Sequence, residues 1–144
     1  MQTFLTHRGV VYAWQCDHFG HMNNVWYAAK FDEAGWNTLL QIGITPSYLR
    51  DNNRGMASVE HVTTFKHELL AGDIVEIRTQ LVEVREKVVR FLHTMVNAET
   101  GVEVATLALT AVHVDTKARK SCPFPPALRA AIERLGGLQT AAAA

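Results

Sequence analysis

The sequence of 144 residues lacks most of the features that assign a protein quickly. Cysteine is scarce: Cys16 and Cys122 are the only two, which is no disulfide framework and fits a reducing compartment. An excess of charge of one sign is also absent. Fourteen Lys and Arg balance fourteen Asp and Glu, which excludes the broad basic footprint of a typical nucleic-acid binder. No apolar run is long enough to cross a bilayer. The longest, Val104 to Val114, is interrupted by Thr106, Thr110 and His113. Met1 to Arg8 carry no apolar core of signal-peptide length. There is no Gly-rich phosphate loop and no dinucleotide fingerprint. The expectation is a soluble cytoplasmic protein that needs no cofactor and engages neither nucleic acid nor membrane.

What is present is an ordinary globular composition, 48% hydrophobic. At roughly 150 residues per domain, residues 1–138 are expected to form one domain. A chain of this length buries about 68–70% of its unfolded surface and needs no staple to hold a core. Residues 139–144, a low-complexity stretch after Gly136-Gly137, are expected to be a disordered tail.

Along the chain, Val10 to Trp14 reads as a strand from its β-branched and aromatic content. Cys16 to Asn24 reads as a loop, with Asn23 or Asn24 as the cap of a helix from about Val25 to Ile42. Gly43 stops that helix and Pro46 follows. Lys30, Glu33, Asn37 and Gln41 recur at spacings of three and four, so they form one polar stripe. The remaining surface is apolar over a wide arc, which implies burial on more than one side. Asp32 falls on that apolar arc, either as a partnered buried acid or beside a site.

The rest is rich in strand signals. Met56 to Leu69 is one, and the Gly72-Asp73 turn precedes another over Ile74 to Val84. A phase shift at Leu81-Val82 predicts a β-bulge. Val88 to Asn97 and Val102 to Asp115 follow, the latter apolar on both faces and therefore central. A last helix runs from about Pro126 to Leu135. Short turns between consecutive strands make them antiparallel. The class is α+β, a curved antiparallel sheet wrapped around the first helix.

The loop before the helix carries the candidate chemistry. Asp17 lies seven residues before Asn24, so its carboxylate can stand near the amides of the helix N-terminus. A carboxylate and a carbonyl-polarising amide at one point are a minimal kit for acyl transfer to water. Equally, Asp17 has a plain reading as a turn carboxylate. His21 is a candidate general acid or base, or a structural residue bonded to a backbone carbonyl. Cys16, Asp17, His18 and His21 match no compact zinc spacing, and no metal is expected. Cys16 would need an adjacent base to act as a nucleophile. Arg85, Lys87, Arg90 and Lys117, Arg119, Lys120 form short basic clusters at strand ends, either a solvated rim or phosphate contacts.

The run Asp17-His18-Phe19-Gly20-His21-Met22-Asn23-Asn24-Val25-Trp26-Tyr27 resembles the hotdog-fold acyl-CoA thioesterases of the 4-hydroxybenzoyl-CoA thioesterase-like family. Phe31, Glu33, Gly72-Asp73, Gly101-Val102, Ala105, Val114-Asp115 and Pro123 to Pro126 continue the pattern, so the resemblance spans about Val10 to Leu135. It implies a hotdog fold, a long central helix wrapped by a curved five-stranded antiparallel sheet. It also implies homodimers whose sheets join into ten strands, often paired into homotetramers, with active sites at the dimer interface.

By the same resemblance Asp17 is the catalytic carboxylate, as general base or nucleophile, and the backbone amide of Asn24 polarises the thioester carbonyl of an acyl-CoA substrate. Gly20, His21, Asn23 and Tyr27 fall along the substrate pocket. Arg85, Lys87 and Lys120 are candidates for the CoA phosphates. The Gly-His-Met-Asn-Asn turn is closer to the general medium- and long-chain acyl-CoA thioesterases than to the hydroxybenzoyl-specific enzymes. Two rival functions remain at this stage. One is a hydratase or dehydratase of enoyl or hydroxyacyl thioesters, with His21 or His61 as its imidazole. The other is a non-catalytic acyl-CoA binding module.

Overall fold

The computed structural model describes residues 2–137. The expected tail at 139–144 lies outside the described residues. Five long strands are β1 (Thr3–Val10), β2 (Arg54–Phe65), β3 (Ile74–Val84), β4 (Val88–Asn97) and β5 (Glu103–Asp115). Their spatial order is β1-β3-β4-β5-β2, and every pairing is antiparallel. A two-residue strand, β6 (Lys120–Ser121), adds to the end of β5. Three helices are α1 (Asn24–Gln41), α2 (Pro46–Asp51) and α3 (Pro126–Gly136). The sheet curls around α1 as a half-barrel, so the α+β reading and the central place of β5 both hold.

Helix α1 bridges two apolar clusters. Tyr27, Phe31 and Ala34 pack with Val75, Ile77, Met95 and Val104 at one end. At the other, Leu39 packs with Leu81, Val89, Phe91, Phe124 and Ile132. Between them lies a buried polar relay. The Thr79 hydroxyl is 2.8 Å from the Thr6 hydroxyl and 2.7 Å from His93 Nδ1. The fully buried His93 keeps its Nε2 without a partner. Burial pushes its pKa down from 6.5 to about 4, with nearby His61 adding a little, so the ring is neutral at neutral pH.

The predicted polar stripe of α1 is exposed at Glu33, Asn37 and Gln41 and buried at Lys30. It seals the edge strand β1. Lys30 Nζ donates to the Val10 carbonyl at 3.2 Å, Asn37 to Thr6 at 2.6 Å, and Gln41 to Leu5 at 3.2 Å. Glu33 stands 3.2 Å from His7 Nδ1. An edge strand presents unpaired carbonyls that need cover, and the register shift between Leu5 and His7 turns some of them toward the helix.

The first strand is misplaced in the sequence reading. Val10 to Trp14 is not a strand; β1 ends at Val10, and Ala13–Gln15 is a turn of 3-10 helix. The Gln15 side chain accepts from Tyr12 N–H at 3.0 Å and Gln15 N–H donates to the Tyr12 carbonyl at 2.9 Å, which bends the chain out of the sheet. β2 runs from Arg54 to Phe65 rather than from Met56 to Leu69. Helix α2, capped by Thr45 on Tyr48 N–H at 3.0 Å, was not anticipated. β3 and β4 fall where expected, with the register shift between Leu81 and Glu83.

Candidate active site

The loop into α1 is fixed at both ends. Cys16 and Met22 pair as an isolated bridge. Met22 N–H donates to Leu69 at 2.8 Å and Asn23 N–H to Gln15 at 2.9 Å. Between them Asp17 N–H reaches the His21 carbonyl at 3.1 Å and Gly20 N–H the Asp17 carbonyl at 2.9 Å. Gly20 sits at φ +86°, which a side chain would resist.

This tight turn aims Asp17 at the helix. Its Oδ1 accepts from Phe19 N–H at 2.9 Å and its Oδ2 from the Asn23 side-chain amide at 2.9 Å. Asn23 is the cap: its Oδ1 accepts from Val25 N–H at 3.0 Å. The Asn24 amide, between the two, has no acceptor among the described residues, and Asn24 itself is exposed. The Asn23 amide first, and then Phe19 N–H, hold the Asp17 carboxyl below the usual carboxylate range. The group is an anion at neutral pH beside a free amide at a helix N-terminus, where a developing negative charge is favoured.

Asn24 opens onto a shallow hollow shared with His21, Tyr27, Phe65 and His67. Tyr27 is buried, donates to the His67 carbonyl at 3.3 Å and meets Phe65 edge to face at 5.1 Å. Burial raises its pKa, so its hydroxyl stays a donor. It ties the segment after β2 to the first turn of the helix. The His21 ring makes no hydrogen bond to the Asp17 carboxylate; its Nδ1 lies 3.4 Å from the Met22 carbonyl and its ring stacks on Phe19 at 6.0 Å.

Arg85, Lys87 and Lys120 are not brought to this point within one chain. Arg85 pairs with Glu83 at 2.8 Å, in the β3–β4 turn. Lys120 pairs with the C-terminal end of β5. Both lie toward the far end of α1, whose 18 residues span about 27 Å at 1.5 Å each. Among the described residues no three His, Cys, Asp or Glu side chains gather to hold a metal ion.

The sequence reading missed a second hollow. Along α1, Asp32, Gly35 and Trp36 face Ser58, His61 and Thr63 of β2 across a cleft of about 120 Å³, with Phe31 and Phe91 in its wall. Ala28 also lines it. Ala28, Asp32 and Trp36 recur every four residues and line the helix side of this cleft. The signal was an acid on an otherwise apolar arc. Strand β2 above it is exposed from Ala57 to Phe65 on both faces.

The model of the Thioesterase-like superfamily matches residues 11–132. The chain is 31% identical over 119 residues to an L-carnitine dehydrogenase/betainyl-CoA thioesterase of Agrobacterium fabrum, covering 83% of this chain and 24% of the relative. It thus spans about a quarter of that two-function protein. It is 26% identical over 119 residues to the betainyl-CoA thioesterase of Pseudomonas aeruginosa, covering 83% of this chain and 75% of that one. Among solved structures, a Staphylococcus aureus protein in complex with CoA superposes with a TM-score of 0.88 at 20% identity, over 97% of this chain and 89% of that one. At that identity the likeness speaks for the fold.

Proposed function

The chain belongs to the thioesterase-like superfamily, and from that premise we propose that it hydrolyses acyl-CoA thioesters to a free acid and CoA. The observation that carries this reading is the join between Asp17 and the helix start through Asn23. The thioester carbonyl oxygen accepts from the Asn24 amide, where negative charge developing on it is stabilised. Asp17 then acts in one of two ways. As a base it takes a proton from water as the hydroxide adds to the carbonyl. As a nucleophile its oxygen adds to the carbonyl, the CoA thiolate leaves, and water opens the mixed anhydride. In both, the C–S bond breaks with the electron pair on sulfur. Gly20 and Asn23 set the turn, and His21 and Tyr27 border the substrate.

The exposed edge β2 supports a homodimer. Val59, Val62 and Phe65 are more than 45% exposed on it, and a long bare edge invites pairing with a second copy. Antiparallel pairing about a two-fold axis sets the Phe65 end of one β2 against the Arg54 end of the other. Lys120 lies across β5 from that end, with Asp115 between it and Arg54. Arg85, Lys87 and Lys120 remain the candidates for the CoA phosphates. Pairing of two dimers makes the homotetramer, and the sparse cysteines support a cytoplasmic location.

The test is thiol release from a panel of acyl-CoAs that includes betainyl-CoA, the substrate in the names of the relatives. Release of CoA supports the reading. A double-bond absorbance change without thiol identifies a hydratase or dehydratase, and binding without turnover a binding module; either overturns it.

A further inference from the structure

The hollow at Asn24 holds a second carboxylate, Glu68, which lines it with His21, Tyr27 and His67. The backbone on both sides of Glu68 is tied down. The His67 carbonyl accepts from the Tyr27 hydroxyl at 3.3 Å, and His67 N–H donates to the Val104 carbonyl at 3.2 Å. Leu69 is fully buried, and its carbonyl accepts from Met22 N–H at 2.8 Å. Glu68 is thus carried between a residue bound to the first turns of α1 and a residue bound to the loop that presents Asp17. Burial, and after it the charge of Glu68, raises the Tyr27 pKa, as a carboxylate standing near that phenol does.

The two carboxylates at this helix start are set differently. Both oxygens of Asp17 are occupied, by Phe19 N–H and by the Asn23 amide. Glu68 is exposed and has no ion pair and no side-chain hydrogen bond among the described residues. Lys66 is the one Lys or Arg of the hollow, and it is paired with Glu103 instead. The Asn23 bond and then the Phe19 bond hold the Asp17 carboxyl low, which makes it a poor acceptor for a water proton. Addition of its oxygen to a carbonyl carbon needs no proton transfer. The mixed anhydride so formed must then be opened by water, and that step needs a base with free oxygens in the hollow.

We infer that Glu68 is a further catalytic residue, the base that takes a proton from the water opening the Asp17 anhydride. The inference rests on the hydrolase reading and selects its nucleophilic branch. In the first step an Asp17 oxygen adds to the thioester carbonyl carbon, the C–S bond breaks with its electron pair on sulfur, and the CoA thiolate leaves. In the second, Glu68 takes one proton of a water as the water oxygen adds to the acyl carbon. The bond from that carbon to the Asp17 oxygen breaks with its pair on Asp17, the free acid departs, and Glu68 returns its proton to solvent through the open mouth of the hollow.

The probes are straight-chain acyl-CoAs from acetyl to dodecanoyl, together with betainyl-CoA. On any of them that the wild type turns over, Glu68→Gln should release about one thiol per subunit in a burst and then turn over about a hundredfold or more slowly. Its mass should rise by one acyl group, carried on Asp17, with the circular dichroism of the wild type. Formate, as an external base, should speed turnover in Glu68→Ala severalfold. A merely structural role for Glu68 produces neither the adduct nor the rescue. Turnover of Glu68→Gln within about threefold of the wild type overturns the inference, as does a slow variant with no burst and no adduct. A burst in His67→Gln but not in Glu68→Gln gives the role to the neighbouring imidazole and overturns it too. These three outcomes leave the hydrolase reading standing, whereas no thiol release by the wild type on any probe defeats that reading and this inference with it.

Discussion

The Asn23 side-chain amide donates to Asp17 Oδ2 at 2.9 Å. The same side chain accepts from Val25 N–H at 3.0 Å, so one residue caps the helix and holds the proposed catalytic carboxylate beside it. Chemistry and helix stability are thereby coupled at one residue, and they can be separated by substitution.

Replacing Asn23 by Ala removes both bonds. Loss of the cap should cost about 1 kcal/mol, within a range of about 0.5–2, read from denaturant unfolding. The Asn23 bond is the largest cause of the lowered Asp17 pKa. Hydrolysis that needs the carboxylate is full above that pKa and is lost as pH falls through it. The acid limb of kcat/KM should therefore move to higher pH in Asn23→Ala. Asn23→Ser should recover the stability, since Ser caps well, without restoring the acid limb. An acid limb that stays in place in both variants would detach Asn23 from Asp17.

His93 gives a second pH effect, on stability rather than rate. Its folded pKa of about 4 lies below the ordinary histidine value of 6.5, so the unfolded chain binds the proton first. The stabilisation is whole above about pH 6.5 and declines as pH falls toward 4. At about 1.4 kcal/mol per unit this window is worth of order 3 kcal/mol. Urea midpoints measured across the window should fall accordingly, and the slope should flatten in His93→Gln even where that variant is less stable at pH 7. A wild-type slope retained in the variant would assign the acid sensitivity elsewhere.

Much of this fold was legible because local signals agreed. The Gly72-Asp73 turn, the apolar runs of β3 and β4 and the phase break near Leu81 all point the same way, and Asn23 was among the two caps named. β1 was not legible, because Thr6 on its inward side is buried through a hydroxyl pair with Thr79. A polar residue in the core erases the alternation that marks a strand. The stripe of Lys30, Glu33, Asn37 and Gln41 was visible as a pattern, but its target was not, since β1 lies more than twenty residues upstream of most of it. The cleft at Asp32 joins residues 28–39 to residues 56–63 and the sheet floor, and such a meeting has no local signature. The Asp17 to Asn24 motif was legible through the resemblance, while the bridge through Asn23 needed coordinates.

The bare edge of β2 predicts the assembly. Sedimentation should give a dimer of about 32 kDa or a multiple of it, twice the 16.0 kDa chain. Val62 is 53% exposed on that strand. Val62→Asp should shift the protein toward monomer and lower turnover about tenfold or more at equal concentration, because a charge buried at an interface without a partner is costly. A monomer with full activity would contradict both the edge pairing and a site completed across it.

The most direct measurement is kcat/KM for thiol release by the wild type and Asp17→Asn, on one acyl-CoA that the wild type turns over. The substitution keeps the shape of the side chain and removes its charge and basicity. Positioned base or nucleophile assistance is worth about 10²–10⁴-fold, so the variant should lose at least a hundredfold while its circular dichroism and oligomeric state stay those of the wild type. A loss of less than about threefold would show that the carboxylate held by Asn23 takes no part in the chemistry.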